Sequence, residues 1–343
     1  MKISLAAIVF LAPLSALAVP ESNLAVVKDL LANRDGFFRT DSFSGVDSVK
    51  ISYTRFGAAP GAKGCLVIAP GQGEAALKFI EVAYDLSNQG FSPVYVIDHR
   101  GQGLSGRLLP DPQKDTVKRF ADYATDFENF VDNIVMKDPA CQGHPASLLS
   151  HSMGGAIVAA YLEAAGENTP FRKAAFSSPM MKIRYPQGKT EDSVIAETWF
   201  ACNTPFGPKC DDFAPGKGPY NGGGTFAGNP YTHSEPRFDF KRDLYASNPA
   251  IQIGGPTVRW VREAALANKE MRKRENAQRM KPSLLILSAG NDQLVDNAGQ
   301  EEICGNAAAC RLEKLDGSNH EILMESDSIR DIAIAKVVQF LSN

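Results

Sequence analysis

The stretch Leu148-Leu149-Ser150-His151-Ser152-Met153-Gly154-Gly155 constrains this chain more than any other. An apolar run over residues 146–149 reads as a short buried strand, and residues 154–162 read as a helix. Ser152 stands at the apex between them. A strand, tight turn and helix with Ser at the apex strains the backbone and holds the hydroxyl clear of the sheet. Strand and helix cross closely there, so the positions two before and two after the Ser must be small. Gly154 fills the second of these. Ser150 fills the first, where Gly is usual. A Ser-Gly turn between any strand and helix would look the same. The motif gains meaning only if the chain also supplies a base, an acid and oxyanion-binding N–H groups.

The rest of the chain keeps the same rhythm. Residues 19–45 form a lead-in without clear periodicity. Residues 47–56 alternate through Val49, Ile51 and Tyr53 and read as an edge strand. Residues 65–69 read as a buried strand that runs into Pro70-Gly71-Gln72-Gly73-Glu74. A helix is expected over 75–88, closed by Gly90. Residues 91–97 form the next strand, followed by Asp98-His99-Arg100-Gly101-Gln102-Gly103. Val117, Phe120, Tyr123, Phe127, Val131 and Ile134 recur at helical steps and predict a helix over 115–136. Further strands are expected at 173–178, 283–288 and 310–315. A closing helix spans 328–341, with Ser328 and Asp331 as a capping pair. This alternation implies an α/β fold with a mostly parallel central sheet and helices on both faces. Such sheets place their site at the carboxyl ends of the strands. Ser152, Asp292 and His320 each fall just after such an end.

The rhythm stops between residues 180 and 282. Residues 203–231 are rich in Gly, Pro and Asn, with Trp199, Phe200, Phe206, Tyr220 and Phe226 scattered nearby. Residues 256–279 return to a helical pattern. A break of roughly 100 residues is too long for a plain loop and reads as an inserted cap, or lid, domain. The expected division is a leader at 1–18, a first core segment at 19–180, the cap at 181–280 and a second core segment at 281–343. By default the cap aromatics pack the Gly-rich segment.

Residues 1–18 have the pattern of a secretory signal peptide. Lys2 supplies the charged start, residues 3–14 are apolar but too short to span a bilayer, and Ala16-Leu17-Ala18 fits cleavage after Ala18. An exported protein, periplasmic or secreted, is expected. The six cysteines agree with an oxidising compartment. They allow 15 pairings, and spacing favours Cys202–Cys210 and Cys304–Cys310 as local loops. The cysteines show no C-x-x-C and the five His are scattered, so no metal site is expected. With a net charge of −3, and with the basic residues of 269–279 interleaved with Glu270 and Glu275, nucleic acid is not an expected partner. Oligomeric state is not legible.

Ser152, Asp292 and His320 follow the chain order of the α/β-hydrolases. A His within reach of a Ser hydroxyl removes its proton, a help worth roughly 10²–10⁴ in rate. An acid behind the His fixes its tautomer and stabilises the imidazolium. Two N–H groups must hold the developing oxyanion. The residue after the nucleophile, Met153, supplies one, and Gln72, in the loop after the third strand, supplies the other.

Several motifs occur together: Gly71-Gln72-Gly73-Glu74, Asp98-His99-Arg100-Gly101-Gln102-Gly103-Leu104-Ser105-Gly106, the Ser152 stretch and Gly290-Asn291-Asp292. The set resembles the monoacylglycerol lipase and lysophospholipase branch of the α/β-hydrolases. Asn319-His320-Glu321-Ile322-Leu323-Met324-Glu325 and Gly254-Gly255-Pro256-Thr257-Val258-Arg259-Trp260-Val261-Arg262-Glu263 resemble its bacterial lysophospholipases. The likeness spans roughly residues 48–343 and is weakest over 180–245. It implies an α/β-hydrolase fold, with Ser152 as nucleophile, Asp292 as acid, His320 as base, and Gln72 and Met153 as oxyanion donors. It implies no cofactor. The family's sheet order sets the strands after Cys65 and Cys141 side by side, which supports a Cys65–Cys141 disulfide away from the site. Two departures are Ser150 for Gly and Pro70 for the His common before the oxyanion Gly; neither removes a catalytic group.

The expected activity is serine hydrolysis of a lipid carboxylic ester through an acyl-enzyme. Lysophospholipid is the first choice of substrate, and monoacylglycerol or a general carboxylic ester the alternative. A transient contact of the cap with the membrane surface is expected as it takes up lipid. His151 is expected to be structural, Asp296 to cap a helix, and Glu74, Asp98, His99 and Arg100 to fix loops. A different class, a nucleotide-dependent oxidoreductase, is suggested by Gly71-Gln72-Gly73-Glu74-Ala75-Ala76 after a strand, with Asp98 ending the next. Ala76 in place of the third Gly, export and an otherwise unexplained Ser-Asp-His set count against it.

Overall fold

A computed structural model describes residues 18–204 and 209–343. The leader therefore lies outside the described residues except for Ala18, as does Phe206 among the cap aromatics. Eight strands make one sheet: β1 Phe38–Ser44, β2 Lys50–Phe56, β3 Leu66–Ala69, β4 Val94–Ile97, β5 Ser147–His151, β6 Lys173–Ser177, β7 Ser283–Ala289 and β8 Cys310–Leu315. Their spatial order is β1-β2-β4-β3-β5-β6-β7-β8. The β1–β2 and β2–β4 pairs are antiparallel, and every pair from β4 to β8 is parallel. The central strands β3, β4 and β5 are buried at every position. That matches the unbroken apolar runs of β3 and β4, since helices cover both faces.

Ten α-helices accompany the sheet among the described residues: α1 Ala25–Leu31, α2 Ile80–Asn88, α3 Phe120–Phe130, α4 Met153–Ala165, α5 Glu191–Asn203, α6 Glu235–Ser247, α7 Val258–Met271, α8 Arg274–Ala277, α9 Asn297–Asn306 and α10 Asp327–Ser342. Two apolar clusters lie on opposite faces of the sheet. One joins α3, α4 and α7 through Phe127, Ile157 and Trp260. The other joins α2 and α10 through Ile80, Leu86, Ile334 and Val337.

Several boundaries differ from expectation. The lead-in holds α1 and β1, so the edge strand is β1 and β2 lies one place inside it. Phe-Arg-Thr-Asp-Ser-Phe-Ser in β1 is mostly exposed, which leaves no alternation to read. The helix expected at 115–136 starts only at Phe120 and ends in a π-helical turn, Val131–Val135. Asp115 is extended instead and bridges to Pro256. The helix expected from residue 75 opens with a 3₁₀ turn, Ala76–Phe79. The last helix begins at Asp327 after Ser326, and no side chain caps it, so Ser328 and Asp331 are not a capping pair. Between 180 and 282, α5 and α6 were not legible. Thr190 and Ser193 close a capping box on α5, and Ser234 caps α6 by accepting from the Arg237 N–H at 3.2 Å.

Three disulfides join Cys65 to Cys141, Cys202 to Cys210 and Cys304 to Cys310, the pairings anticipated from spacing and family likeness. Cys65–Cys141 ties residues 76 apart in sequence. Closing a loop of that length restricts the unfolded chain by about 4–5 kcal/mol on the chain-entropy account. Replacing both cysteines with Ala should therefore cost far more urea-midpoint stability than reopening the short Cys304–Cys310 loop. Matched denaturation curves of the two double variants check the order.

Candidate active site

Ser152 sits between β5 and α4 with φ 50° and ψ −119°. A non-glycine residue at positive φ is strained and persists only where its surroundings hold it. Here the Ser152 N–H donates to Ser177 O at 3.1 Å, and its carbonyl accepts from the Met180 N–H at 2.8 Å. The small neighbours are required by contact. A Cβ on Gly154 would lie 2.1 Å from Ala69 O, and one on Gly155 would lie 2.4 Å from Pro179 Cβ. Ser150 is fully buried within β5, and its hydroxyl has no hydrogen-bond partner among the described residues.

The loops after β7 and β8 bring two more side chains to this apex. His320 Nε2 is 2.9 Å from Ser152 Oγ, and His320 Nδ1 is 2.7 Å from Asp292 Oδ2. The other carboxylate oxygen of Asp292 accepts from the Leu294 and Val295 N–H groups at 2.8 and 2.9 Å. Burial alone would raise the Asp292 pKa. The hydrogen bond and charge of His320, with the two N–H groups, hold it below the ordinary range instead. Asp296 accepts from the Ala298 N–H at 3.1 Å and caps α9, as expected.

The loop after β3 lies against Ser152. A Cβ on Gly71 would come 3.1 Å from Ser152 Cβ. Gly71 N–H donates to Glu74 Oε2 at 2.5 Å, and Gly73 N–H donates to Gln102 Oε1 at 2.6 Å. The backbone N–H groups of Gln72 and Met153 have no hydrogen-bond partner among the described residues. The Gln72 side chain donates to Asp115 Oδ2 at 2.8 Å. A dinucleotide phosphate would meet the Glu74 carboxylate in this loop, so the fingerprint-like glycines serve a different purpose.

A buried charge cluster supports both loops. Lys78 pairs with Glu74, and with Glu321 at 2.7 Å. Lys241, from α6, pairs with Glu321 at 2.7 Å. Burial opposes ionisation of Glu321, but Lys241 and Lys78 hold its carboxyl well below the ordinary range. Tyr245, also on α6, accepts from the Ala75 N–H at 2.8 Å and donates to Gly73 O at 3.2 Å. The backbone of His320 and Glu321 bonds to Pro230 O and Tyr231 O at 3.3 and 2.8 Å. The segment 230–245 is thus bolted to the loops that carry Gln72 and His320. Lys78, Lys241, Tyr245, Gln102 and Asp115 were not anticipated from sequence. Glu74 and Lys78, four apart at a helix start, were the one available signal.

His151 is buried, with Nδ1 3.1 Å from Ser177 O and its ring centroid 4.9 Å from that of His320. Burial lowers its pKa to about 4, so it is neutral at pH 7 and supports the His320 ring by packing. Asp98 accepts from the Ala76 and Leu104 N–H groups at 2.6 and 3.0 Å. Arg100 pairs with Asp126 of α3 at 2.7 Å.

Asp115 carries a pH-dependent consequence. Burial pushes its pKa to about 7, with the Gln72 hydrogen bond opposing. Its unfolded value is about 3.9. Its stabilising contribution is therefore complete below about pH 4 and is lost as pH rises through about 7. Asp115→Asn should flatten that part of the stability profile, read from urea midpoints at each pH.

Residues 60–327 match the family described as serine aminopeptidase S33, Hydrolase_4. The chain belongs to this family of α/β-hydrolases. Within it, the chain is 35% identical to lysophospholipase L2 of Escherichia coli K12 over 309 residues, covering 88% of this chain and 86% of that one. It is 30% identical to a probable lysophospholipase L2 of Haemophilus influenzae over 306 residues, covering 89% and 92%. These likenesses place it in the lysophospholipase and monoacylglycerol lipase branch. In fold, this Hydrolase_4 member is similar to a monoglyceride lipase of Saccharomyces cerevisiae solved with a substrate analog. The TM-score is 0.68 at 18% identity, covering 88% of this chain and 94% of that one.

Proposed function

We propose that this chain is an exported serine esterase that cleaves a carboxylic ester of a lipid, with lysophospholipid as its first substrate. The pair of contacts Ser152–His320–Asp292, at 2.9 and 2.7 Å, carries this reading. Ser152 Oγ attacks the acyl carbonyl while His320 Nε2 takes its proton. The oxyanion is received by the Gln72 and Met153 N–H groups, which are free to donate. His320 then returns the proton to the leaving alcohol, the glycerol oxygen. The acyl-enzyme remains until His320 deprotonates a water that attacks it and releases the fatty acid and Ser152. Asp292 holds the Nδ1 proton and the ring orientation throughout.

The substrate class rests on the lysophospholipase relatives. Monoacylglycerol is the alternative, on the likeness to a solved monoglyceride lipase. We assign residues 181–280 to the cap. Trp199 and Phe200 of α5, 52% and 51% exposed, are its point of contact with lipid surface. Tyr220 and Phe226 instead pack on Tyr245 and Phe238.

The deciding experiment is mass-spectrometric product analysis with lysophospholipids, monoacylglycerols, short-chain esters and aminoacyl amides in one mixture. Fatty acid released first from lysophospholipid is the expected result. Release first from monoacylglycerol moves the assignment to the alternative, and turnover of the amides alone overturns the esterase reading.

A further inference from the structure

The first described residues are built into the protein. Ala18 and Val19 are each 7% exposed. The Val19 N–H donates to Asp85 Oδ1 at 2.9 Å, and the Val19 carbonyl accepts from Arg237 Nη2 at 2.9 Å. Two residues on, the Glu21 N–H donates to both carboxylate oxygens of Asp327, at 3.0 and 3.1 Å. Asp85 Oδ2 accepts from Arg330 Nη2 at 2.6 Å, and Glu81 accepts from Arg237 Nε at 2.9 Å. The backbone of Val19 is therefore a member of a buried polar cluster that joins α2, α6 and α10.

The charges in that cluster do not balance. Asp85 and Glu81 face Arg237 and Arg330, two against two, all fully or almost fully buried. Glu21 and Asp327, partly exposed, add two further negative charges beside Arg237. Burial pushes the carboxyls of Asp85 and Glu81 up, and Arg330 and Arg237 only partly offset it. The position occupied by the Val19 nitrogen is one where a cation would be stabilised.

The sequence provides a way to make one there. Ala16-Leu17-Ala18 is a leader-peptidase pattern that ends at the Ala18–Val19 bond. Hydrolysis of that amide adds one water. The hydroxyl goes to Ala18, which departs as a carboxylate with the leader, and the nitrogen of Val19 becomes an ammonium. We propose that leader cleavage after Ala18 turns the Val19 amide into an α-ammonium that pairs with Asp85, so that processing itself completes the buried charge cluster of the mature protein. The proposal rests on reading residues 1–18 as a cleaved leader. An amide donates one neutral hydrogen bond, whereas an ammonium donates up to three, each charge-assisted and roughly twice as strong. The same Arg237 anchors α6, whose Lys241 and Tyr245 hold the loops of His320 and Gln72. The new ion pair thus stiffens the mounting of the site.

The sign with pH follows from linkage. An α-amine has an ordinary pKa of about 7.7–8.0, and pairing with Asp85 raises it. The added stability is then complete below about pH 7.7 and is lost as pH rises through the higher folded value. The charged groups facing the amine are Asp85 and Glu81 from α2, Arg237 from α6, Asp327, Arg330 and Asp331 from α10, and Glu21 on its own segment. A chain with a blocked amine shares all of these, so the difference between free and blocked chains reads the amine alone.

The test begins with N-terminal sequencing of the exported protein. Val19 as the first residue is expected, and any other start overturns the proposal. A chain that begins at Val19 is then compared with one that carries Gly-Ser before Val19. The Val19 chain should melt about 2–4 °C higher at pH 6. The gap should close at alkaline pH and vanish when Asp85→Asn is introduced into both. Equal melting, or a gap that survives Asp85→Asn, overturns the ion pair while leaving the leader reading intact. If Asp85→Asn does not fold, competitive acylation of the unsubstituted mature chain decides. At pH 7 the Val19 amine should react about tenfold more slowly in the native than in the urea-unfolded chain for each pKa unit gained. Ordinary reactivity in the native chain overturns the proposal.

Discussion

Ser152→Ala should abolish turnover of lysophospholipid and labelling by a fluorophosphonate, while the melting curve stays close to that of the unsubstituted protein. The hydroxyl is the atom that His320 Nε2 contacts at 2.9 Å, and no other residue stands between that ring and the acyl carbon in the proposed reaction. Loss of the nucleophile removes the covalent route. What remains is oxyanion stabilisation and binding, which in serine proteases leave only a residual 10³–10⁴-fold over water. The fold should hold for a specific reason. The strained backbone at position 152 is fixed by the bonds to Ser177 O and from Met180 N, and both are made by backbone atoms that Ala retains. A fluorophosphonate probe on purified Ser152→Ala protein, with circular dichroism on the same sample, checks both halves. Labelling that survives in a folded variant would move the nucleophile elsewhere.

Asp292→Asn should be almost as damaging, with the loss in kcat rather than KM. Two backbone N–H groups, from Leu294 and Val295, need an acceptor at one end of this side chain. An Asn placed here keeps its carbonyl oxygen on that side, because turning it would set its NH₂ against two donors. Its NH₂ then faces His320 Nδ1, which can no longer be the protonated nitrogen. The proton moves to Nε2, the atom that must accept from Ser152. This tautomer error costs about 10⁴ in kcat in the comparable serine-protease substitution. Steady-state kinetics with a soluble short-chain ester separates the two parameters. A loss under tenfold would mean that Asp292 does not set the tautomer.

Much of the arrangement was legible because it is written locally. Cβ-free positions at Gly154 and Gly155, an apolar run before Ser152 and a helix after it are contiguous in sequence, and β5 and α4 form accordingly. The same holds for the loop of Asp292, which follows the apolar strand β7, while the loop of His320 follows the shorter, more polar β8. The lead-in strand β1 leaves no pattern to read, because an exposed edge carries no alternation. Helical spacing places the start of α3 too early, because Val117 continues it although Asp115 is held by Pro256 and Thr257 of a distant segment. Helix α5 buries only Val194 and Thr198, and the buried stripe of α6 includes the charged Arg237, so apolar periodicity carries little signal for either.

The sequence by itself determined the α/β order, the strained Ser152 turn, the chain order of Ser152, Asp292 and His320, and the two short disulfide loops. All depend on neighbours within one strand, turn or helix. Only the tertiary structure decided which charges meet beneath the site. Lys78, Glu74, Glu321 and Lys241 come from three distant segments, and a buried charge is tolerable only where an opposite charge arrives to pair with it. The same rule joins Val19, Asp85, Arg237 and Arg330. Such pairings have no sequence period, because they are selected by the low dielectric of the folded interior and not by the local chain.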